Sequence, residues 1–81
     1  MKARVFVSLK PTVLDPQGQT ICSALNAHGH PIVAAVRQGK YFDITIASGA
    51  DRAAVEAEIQ TIAWDVLANP VIEDYQIEFI D

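Results

Sequence analysis

Cationic residues and cysteine are both scarce in this sequence. Six Lys and Arg stand against ten Asp and Glu, which gives a net charge of −4. Proteins that bind nucleic acids or anionic membranes usually carry a basic patch, so this acidity argues against either as the main partner. The single cysteine, Cys22, excludes an internal disulfide.

Long hydrophobic runs and targeting segments are missing as well. No apolar run approaches the roughly 20 residues that a membrane-spanning helix needs. The first strand-like alternation begins directly after Met1 and Lys2, with no secretion signal before it. Together with the lone cysteine, this pattern predicts a protein of the reducing cytoplasm with no membrane or nucleic-acid partner.

No linker, low-complexity segment or domain boundary interrupts the 81 residues, which predicts one domain over residues 1–81. A domain of this size buries only about 60% of the surface that its unfolded chain exposes. Oligomerisation is a common remedy, and a 51% hydrophobic composition leaves apolar surface for it. We therefore expect the chain to form homo-oligomers.

Strict alternation of apolar and polar residues predicts strands. One strand covers residues 3–10 and ends at Pro11, which has no N–H to donate. Residues 32–46 are typical of a β-hairpin, with Gly39 supplying the positive φ of a tight turn. A last strand is predicted over residues 75–80.

Two helices are predicted between these strands. Asp15 is a good N-cap and Pro16 fits the first helical position, so helix one is expected over residues 16–28 with Gly29 as its C-terminal glycine. The Ser-x-x-Asp start at residues 48–51 predicts a second helix that continues to about Ala68 and is stopped by Asn69-Pro70.

The resulting order, β-α-β-β-α-β, predicts an α+β fold of the ferredoxin-like type. Its four-stranded antiparallel sheet would carry both helices on one face, with the first and third strands in the centre. The side chains expected to face the helices are Val5, Val7, Leu9, Ile32, Ala34, Val36, Phe42, Ile44, Ile46, Ile77 and Phe79. Those expected on the bare face, partly covered by another subunit, are Phe6, Val33, Ala35, Tyr41 and Ile80.

None of the candidate chemical groups forms a recognisable catalytic or metal site. His28 and His30, with Cys22 six residues before the first of them, match no structural zinc spacing. Cys22 lies in the middle of a predicted helix with no evident base nearby in the sequence. We therefore predict no catalytic, cofactor-binding or metal-binding residue in this chain.

The most concentrated basic spot is the predicted hairpin turn, where Arg37 and Lys40 flank Gly39 beside Tyr41. A solvated turn and a docking contact for a partner or an anion both fit this pattern. RNA recognition is disfavoured, because only Tyr41 offers an aromatic ring on the open face. A stand-alone ligand-sensing domain of the same fold remains an alternative.

Three segments taken together resemble the PurS family, the small subunits of phosphoribosylformylglycinamidine synthase. They are VLDPQG at residues 13–18, VRQGKYFDI at 36–44 and LANPVIEDYQIE at 67–78. The resemblance extends from the first strand to the last, and the order of the three motifs at this chain length makes it specific.

The resemblance implies a non-catalytic subunit of purine biosynthesis that bridges a glutaminase subunit and a large synthetase subunit and supports ammonia transfer between them. It implies that ATP and magnesium bind to the synthetase subunit, that this chain itself holds no cofactor, and that it forms a dimer or a dimer of dimers. The contact candidates that follow are Asp15, Pro16, Gly18, Arg37, Gly39, Lys40, Tyr41, Asn69, Glu73 and Tyr75.

Overall fold

A computed structural model describes residues 1–80 of the chain. The elements follow in the order β1 Lys2–Leu9, α1 Pro16–Ala27, β2 Gly39–Thr45, α2 Arg52–Ile62, a π-helical turn Ala63–Leu67, and β3 Glu73–Ile80. Neither helix in this part of the chain is long and apolar enough to cross a membrane.

The three strands form one antiparallel sheet in the order β2-β1-β3, so β1 lies in the centre. Val5 stands opposite Phe42 on one side and Ile77 on the other. Alternation along β1 places Ala3, Val5 and Val7 on the covered face, where each is at most 1% exposed. The central strand of the sheet is therefore β1, the strand that the sequence alternation predicts most clearly.

Helix α2 covers this face of the sheet. Val55, Ile59 and Ala63 recur at intervals of four residues, which puts them on one side of the helix, and all three are buried. Side chains from the outer strands complete the core at half burial, among them Phe42, Ile44, Ile77 and Phe79. The carboxylate of Asp51 caps the helix by accepting the N–H of Ala54 at 3.1 Å.

A wider turn ends α2. The N–H of Ala68 donates to the carbonyl of Ala63, five residues back, at 2.9 Å, which is the hydrogen-bond pattern of a π-helix. Ala63 and Ala68 are buried, whereas Trp64 beside them is 54% exposed. The turn thus presents a large aromatic side chain next to β3.

Helix α1 and the segment that returns from it lie apart from the sheet. Gly18 is the only buried residue of α1. The Cα radius of gyration is 16.4 Å and the extents are 51 × 27 × 14 Å, whereas a compact chain of this length has a radius near 12 Å. We call residues 16–38 the arm.

The predicted four-stranded ferredoxin-like sheet is wrong, because residues 33–38 form no strand. The chain passes from residue 33 to residue 45 without a turn or bend, and Gly39 does not adopt a positive φ. The segment is held instead against α1, where Asp15 accepts the N–H of Gln38. The predicted third strand, here β2, consequently lies at an edge and not in the centre.

The predicted side-chain orientations in the first strand of the hairpin are wrong as well, because that strand is absent. Ile32, expected to face the helices, is 92% exposed, and Ala34 is exposed as well. Val33 and Ala35, expected on the bare sheet face, do not belong to the sheet at all. The predicted bounds of the outer strands, β2 and β3, and both predicted helix starts are confirmed to within two residues. Gly29 follows the end of α1 with a φ of 92°.

Truncation of the central strand should be the most costly simple change in the sheet. Val5 is fully buried, so we expect Val5→Ala to lower the free energy of unfolding by about 2–3 kcal/mol through lost burial and a residual cavity. Val71→Ala makes the same change at a position that is 79% exposed and should alter it by less than about 0.5 kcal/mol. Urea titration of both variants measures the difference, and equal losses would contradict this assignment of the core.

Candidate functional site: a cleft at the base of the arm

The three segments named above meet where the arm joins the sheet. A cleft of about 230 Å³ lies there, and its lining includes Asp15, Gly39, Lys40 and Glu73, one or two residues from each segment. The end of β1 forms its floor with residues 7–9. Four of the ten predicted contact residues therefore share one surface.

Asp15 holds the two chain passages at this point together. One carboxylate oxygen accepts the N–H of Gly18 at 2.9 Å and so caps α1, while the other accepts the N–H of Gln38 at 2.7 Å. The residue is only 4% exposed. We call this arrangement the Asp15 clamp, because it ties the start of the arm to its end.

The environment of Asp15 favours its charged form. The N–H groups of Gln38 and Gly18 lower its pKa, and the nearby Arg37 guanidinium lowers it further, while burial acts in the opposite direction. The net effect is a pKa below the usual value, so the clamp is ionised at neutral pH.

Arg37 reinforces the same junction from the other passage. Its Nη2 donates to the carbonyl oxygens of Lys10 at 3.0 Å and Val13 at 2.9 Å. Sequence reasoning assigned Arg37 to a partner contact, and the structure places its guanidinium on the chain's own backbone. A partner contact by Arg37 stays a prediction.

Gly18 and Pro16 shape the first turn of α1. A Cβ at residue 18 would overlap the carbonyl oxygen of Val36, so the glycine lets the return segment lie directly on the helix. Pro16 occupies the first helical position and is exposed beside the cleft. These two residues position the arm, and Pro16 extends the surface beyond the cleft.

The third segment is fixed by a local turn. The N–H of Asn69 donates to Glu73 Oε1 at 2.7 Å, and the N–H of Glu73 donates to the carbonyl of Asn69 at 2.7 Å. Lys10 joins this turn to β1 by donating its N–H to the carbonyl of Ile72 at 2.9 Å. Glu73 is thereby held at the cleft.

Tyr75 and Tyr41 lie outside the cleft. The hydroxyl of Tyr75 donates to Gln60 Oε1 at 3.1 Å, and its ring meets Trp64 edge-on at 6.5 Å between centroids. Tyr41 is on the opposite face of the sheet, with its ring centroid 6.1 Å from that of Phe6.

The open face around Tyr41 is more polar than the sequence pattern predicted. Arg4 pairs with Asp43 at 2.7 Å and lies 5.1 Å from the centre of the Tyr41 ring. This ion pair lowers the pKa of Asp43 and raises that of Arg4. Phe6 and Tyr41 are the exposed rings of this face, at 40% and 59% exposure.

The residues of the cleft build a shaped surface. Within residues 1–80, every buried side-chain nitrogen or oxygen has a hydrogen-bond partner, and no three His, Cys, Asp or Glu side chains come together to hold a metal ion. The Cys22 thiol lies in the arm, 3.6 Å from the carbonyl of Val33, and both His28 and His30 are exposed at the far end of α1.

Two residues that sequence reasoning missed contribute to these surfaces. Gln38 acts through its backbone N–H, a group that every residue other than proline carries, so no sequence signal marks it. Trp64, the only tryptophan, falls outside the apolar stripe of α2. A large aromatic side chain outside that stripe was the available signal for an exposed contact residue.

The Asp15 clamp should make stability depend on acid pH. Asp15→Asn preserves the side-chain shape, but its amide nitrogen cannot accept the N–H of Gln38, so we expect a lower melting temperature at neutral pH. Because the folded pKa is lowered, the stabilisation is complete above the usual value of 3.8 and is lost as pH falls through the folded pKa. The difference between the two proteins should therefore shrink below that value in thermal unfolding.

Asp51→Asn is the matched control, since asparagine can keep the single cap bond to Ala54. It should leave the melting temperature nearly unchanged at neutral pH. A deficit of Asp15→Asn that stayed constant at all pH values would show that the carboxylate charge plays no part.

Gly18→Ala tests the close contact between α1 and the return segment. Alanine is intrinsically better in a helix by about 1 kcal/mol, yet its Cβ would overlap the Val36 carbonyl. We expect a net loss of about 1–3 kcal/mol in unfolding free energy. Ser23→Ala, at an exposed position of the same helix, should change it by less than about 0.5 kcal/mol, and a stabilised Gly18→Ala protein would contradict this packing.

Comparison with known proteins identifies the same family that the three sequence motifs resemble. The family model described as PurS, phosphoribosylformylglycinamidine (FGAM) synthase, matches residues 2–81. A relative from Mycobacterium leprae, named phosphoribosylformylglycinamidine synthase subunit PurS, is 45% identical over 76 residues, which cover 94% of this chain and 91% of that protein.

Solved structures give the same result. The crystal structure of Methanocaldococcus jannaschii PurS, one of the subunits of formylglycinamide ribonucleotide amidotransferase in the purine biosynthetic pathway, has a TM-score of 0.82 at 40% identity, covering 95% of this chain and 92% of that chain. A chain in the structure of PurLQS from Thermotoga maritima has a TM-score of 0.84 at 25% identity, with 95% and 93% covered. The chain therefore belongs to the PurS family and is a subunit of phosphoribosylformylglycinamidine synthase, an enzyme of purine biosynthesis.

Proposed function

We propose that this chain is a non-catalytic bridge in the cytoplasm between the glutaminase and synthetase subunits of the enzyme. The glutaminase subunit releases ammonia from glutamine. The synthetase subunit binds ATP and magnesium and uses that ammonia to convert formylglycinamide ribonucleotide into formylglycinamidine ribonucleotide. The chain, as a dimer or tetramer, fixes the relative position of the glutaminase and synthetase subunits so that ammonia passes between them.

The observation that carries this proposal is the convergence of three distant segments on one braced cleft. Asp15 and Arg37 lock the arm to the end of β1, and the Asn69–Glu73 turn is tied to the same strand through Lys10. A surface that is already ordered loses little conformational entropy when a partner docks. Such a surface is suited to fixing the relative position of two larger proteins.

The relatives support the same role. The Thermotoga maritima neighbour comes from a structure of PurLQS, in which a PurS chain accompanies two other subunits. The family members compared above are subunits of the synthase by name.

No observation favours the alternative of a stand-alone ligand-sensing domain. A small-molecule site usually presents a few polar groups converging on an apolar pocket. The polar groups at the base of the arm are instead bonded to the chain's own backbone, as the contacts of Asp15 and Arg37 show. The bridge is therefore the function that the cleft supports best.

Reconstitution with the two larger subunits tests the bridge. We expect synthesis driven by glutamine to require this chain, while synthesis driven by added ammonia proceeds with the synthetase subunit alone. Lys40→Ala removes a cation from the cleft and should weaken assembly by about tenfold in Kd, as measured by titration calorimetry or surface plasmon resonance.

Lys2→Ala is the control for this variant, because Lys2 lies on β1 at the end opposite the cleft. Its binding should match that of the unaltered chain. The bridging role fails if glutamine-driven synthesis runs equally fast without this chain, and the role of the cleft fails if both lysine variants bind alike.

A further inference from the structure

The strand β3 forms a free edge of the sheet. Within residues 1–80 it pairs with β1 alone, so its other side has no neighbouring strand. The strand is eight residues long, contains no proline and keeps one register along its whole length. An edge of this length and regularity is a template for another strand.

The ladder between β1 and β3 fixes which backbone groups point outward. The N–H of Lys10 donates to the carbonyl of Ile72 at 2.9 Å, and this pair continues the register of the two strands. In an antiparallel pair, hydrogen-bonded and non-hydrogen-bonded positions alternate. The even-numbered residues of β3 therefore bond to β1, whereas Tyr75, Ile77 and Phe79 direct their N–H and carbonyl groups outward. We call these three the edge residues.

The side chains of the edge residues are incompletely covered. The residues that stand opposite them on β1 are at most 1% exposed, because β1 has a strand on either side. The edge residues face the same side of the sheet but are only partly buried. A strand added along β3 would place its own side chains beside them and complete this side of the core.

Helix α2 forms a wall above this edge. The guanidinium carbon of Arg52 lies 5.8 Å from the centre of the Phe79 ring, and the Gln60 side chain accepts the Tyr75 hydroxyl at 3.1 Å. Trp64, in the turn after α2, meets the Tyr75 ring edge-on. Positions 52, 60 and 64 differ by multiples of four, so they follow one flank of the helix. The edge of β3 is therefore a groove with one helical side.

The groove widens at the start of β3. A hollow of about 420 Å³ lies there, and its lining includes Trp64 and Tyr75. Trp64 is 54% exposed, and exposed aromatic side chains of this kind are typical anchors of protein interfaces. The charged residues of the lining are Glu73, Asp74 and Lys10, so its net charge is negative. The hollow has room for a large apolar side chain of a bound segment.

The opposite face of β3 is acidic. Asp74, Gln76 and Glu78 alternate with the edge residues, and all three are exposed. Arg4 stands opposite Glu78 on β1, but its guanidinium is paired with Asp43 at 2.7 Å. Opposite charges on neighbouring strands stabilise their pairing. An added strand is therefore favoured if it carries Lys or Arg at the positions that face Asp74 and Glu78.

A second copy of β3 is a poor occupant of this edge. Two antiparallel β3 strands would set one acidic face against another. In the register centred on Gln76, Asp74 of one copy stands opposite Glu78 of the other, and like charges in that position are destabilising. Charge complementarity thus favours a basic segment of a different protein.

We propose that the free edge of β3 binds an extended segment of another protein as a fourth, antiparallel strand. The segment alternates apolar residues, which pack beside the edge residues under α2, with Lys or Arg, which face Asp74 and Glu78. A large apolar residue near its C-terminal end enters the hollow beside Trp64. Backbone hydrogen bonds supply the affinity, and the alternating side chains supply the specificity.

Trp64 reports this binding without a label, because it is the only tryptophan of the chain. The probe is a synthetic peptide of eight residues, the length of β3, with the sequence Lys-Val-Lys-Val-Lys-Val-Lys-Phe. Titrated into the full-length chain, it should move the Trp64 emission to shorter wavelength and protect it from quenching by acrylamide, because the phenylalanine displaces water from the indole. An unchanged emission would overturn the proposal.

A peptide of the same composition with its lysines and valines in two separate blocks is the control for charge alone. Both peptides are attracted equally by the net charge of −4, but only the alternating one matches the two faces of β3. The block peptide should bind at least about tenfold more weakly. Equal dissociation constants would show attraction by charge alone and contradict an added strand.

Methylation of peptide nitrogens tests the backbone ladder. In the proposed register the valine N–H groups donate to the edge residues, whereas the lysine N–H groups point away from β3. Methylation of the valine nitrogens should weaken binding by about tenfold or more, and methylation of the lysine nitrogens should leave it nearly unchanged. The same effect from both would exclude the ladder.

A charge reversal in the chain locates the bound segment. Asp74→Lys should raise the dissociation constant of the alternating peptide by about tenfold. Glu58→Lys makes the same charge change at an exposed position of α2 outside the hollow and should alter it by less than about threefold. Equal effects of the two variants would show that the peptide does not lie on β3.

Sedimentation equilibrium of the same variants tests the competing occupant. If Asp74→Lys changes the association of the chain with itself but not with the peptide, the edge belongs to a second copy and the proposal is wrong. The proposal does not depend on the bridging role, because every one of these titrations uses this chain without the larger subunits.

Discussion

The carboxylate of Asp15 is the group on which the shape of this molecule depends. It accepts two backbone N–H groups from positions 20 residues apart along the chain, Gly18 and Gln38. Charged acceptors form stronger hydrogen bonds than neutral ones, particularly where water is excluded. A single side chain thus fixes where the arm leaves the sheet, where it returns, and the cleft between the two passages.

Local chemistry made much of this architecture predictable. Alternation located the three strands, and Asp15, Pro16 and Gly29 located the ends of α1, because caps and φ constraints act within a few residues. The prediction of a hairpin was wrong for a different reason. Alternation at residues 32–46 indicates extended chain with one apolar face, but it does not say which strand that chain pairs with. A glycine such as Gly39 permits a turn without requiring one.

The site likewise combines features that the sequence predicts with features that it does not. Asp15 was recognised as a cap from its position before Pro16, but its second bond goes to a backbone N–H that has no signature in the sequence. The positive charge of Arg37 predicted a contact with a partner. In the structure its guanidinium donates hydrogen bonds to two backbone carbonyl groups of the same chain. The three motifs that resemble the PurS family each contribute residues to the lining of the cleft at the base of the arm.

The register of the central strand has a consequence for the order of folding. β1 pairs along its whole length with β3, so that Lys2 stands opposite Ile80. Contacts between such distant parts of a chain form late, because a long loop must close first. During synthesis β1 therefore cannot pair with β3 until residues 73–80 have emerged, so the sheet is completed only at the end of translation of these strands.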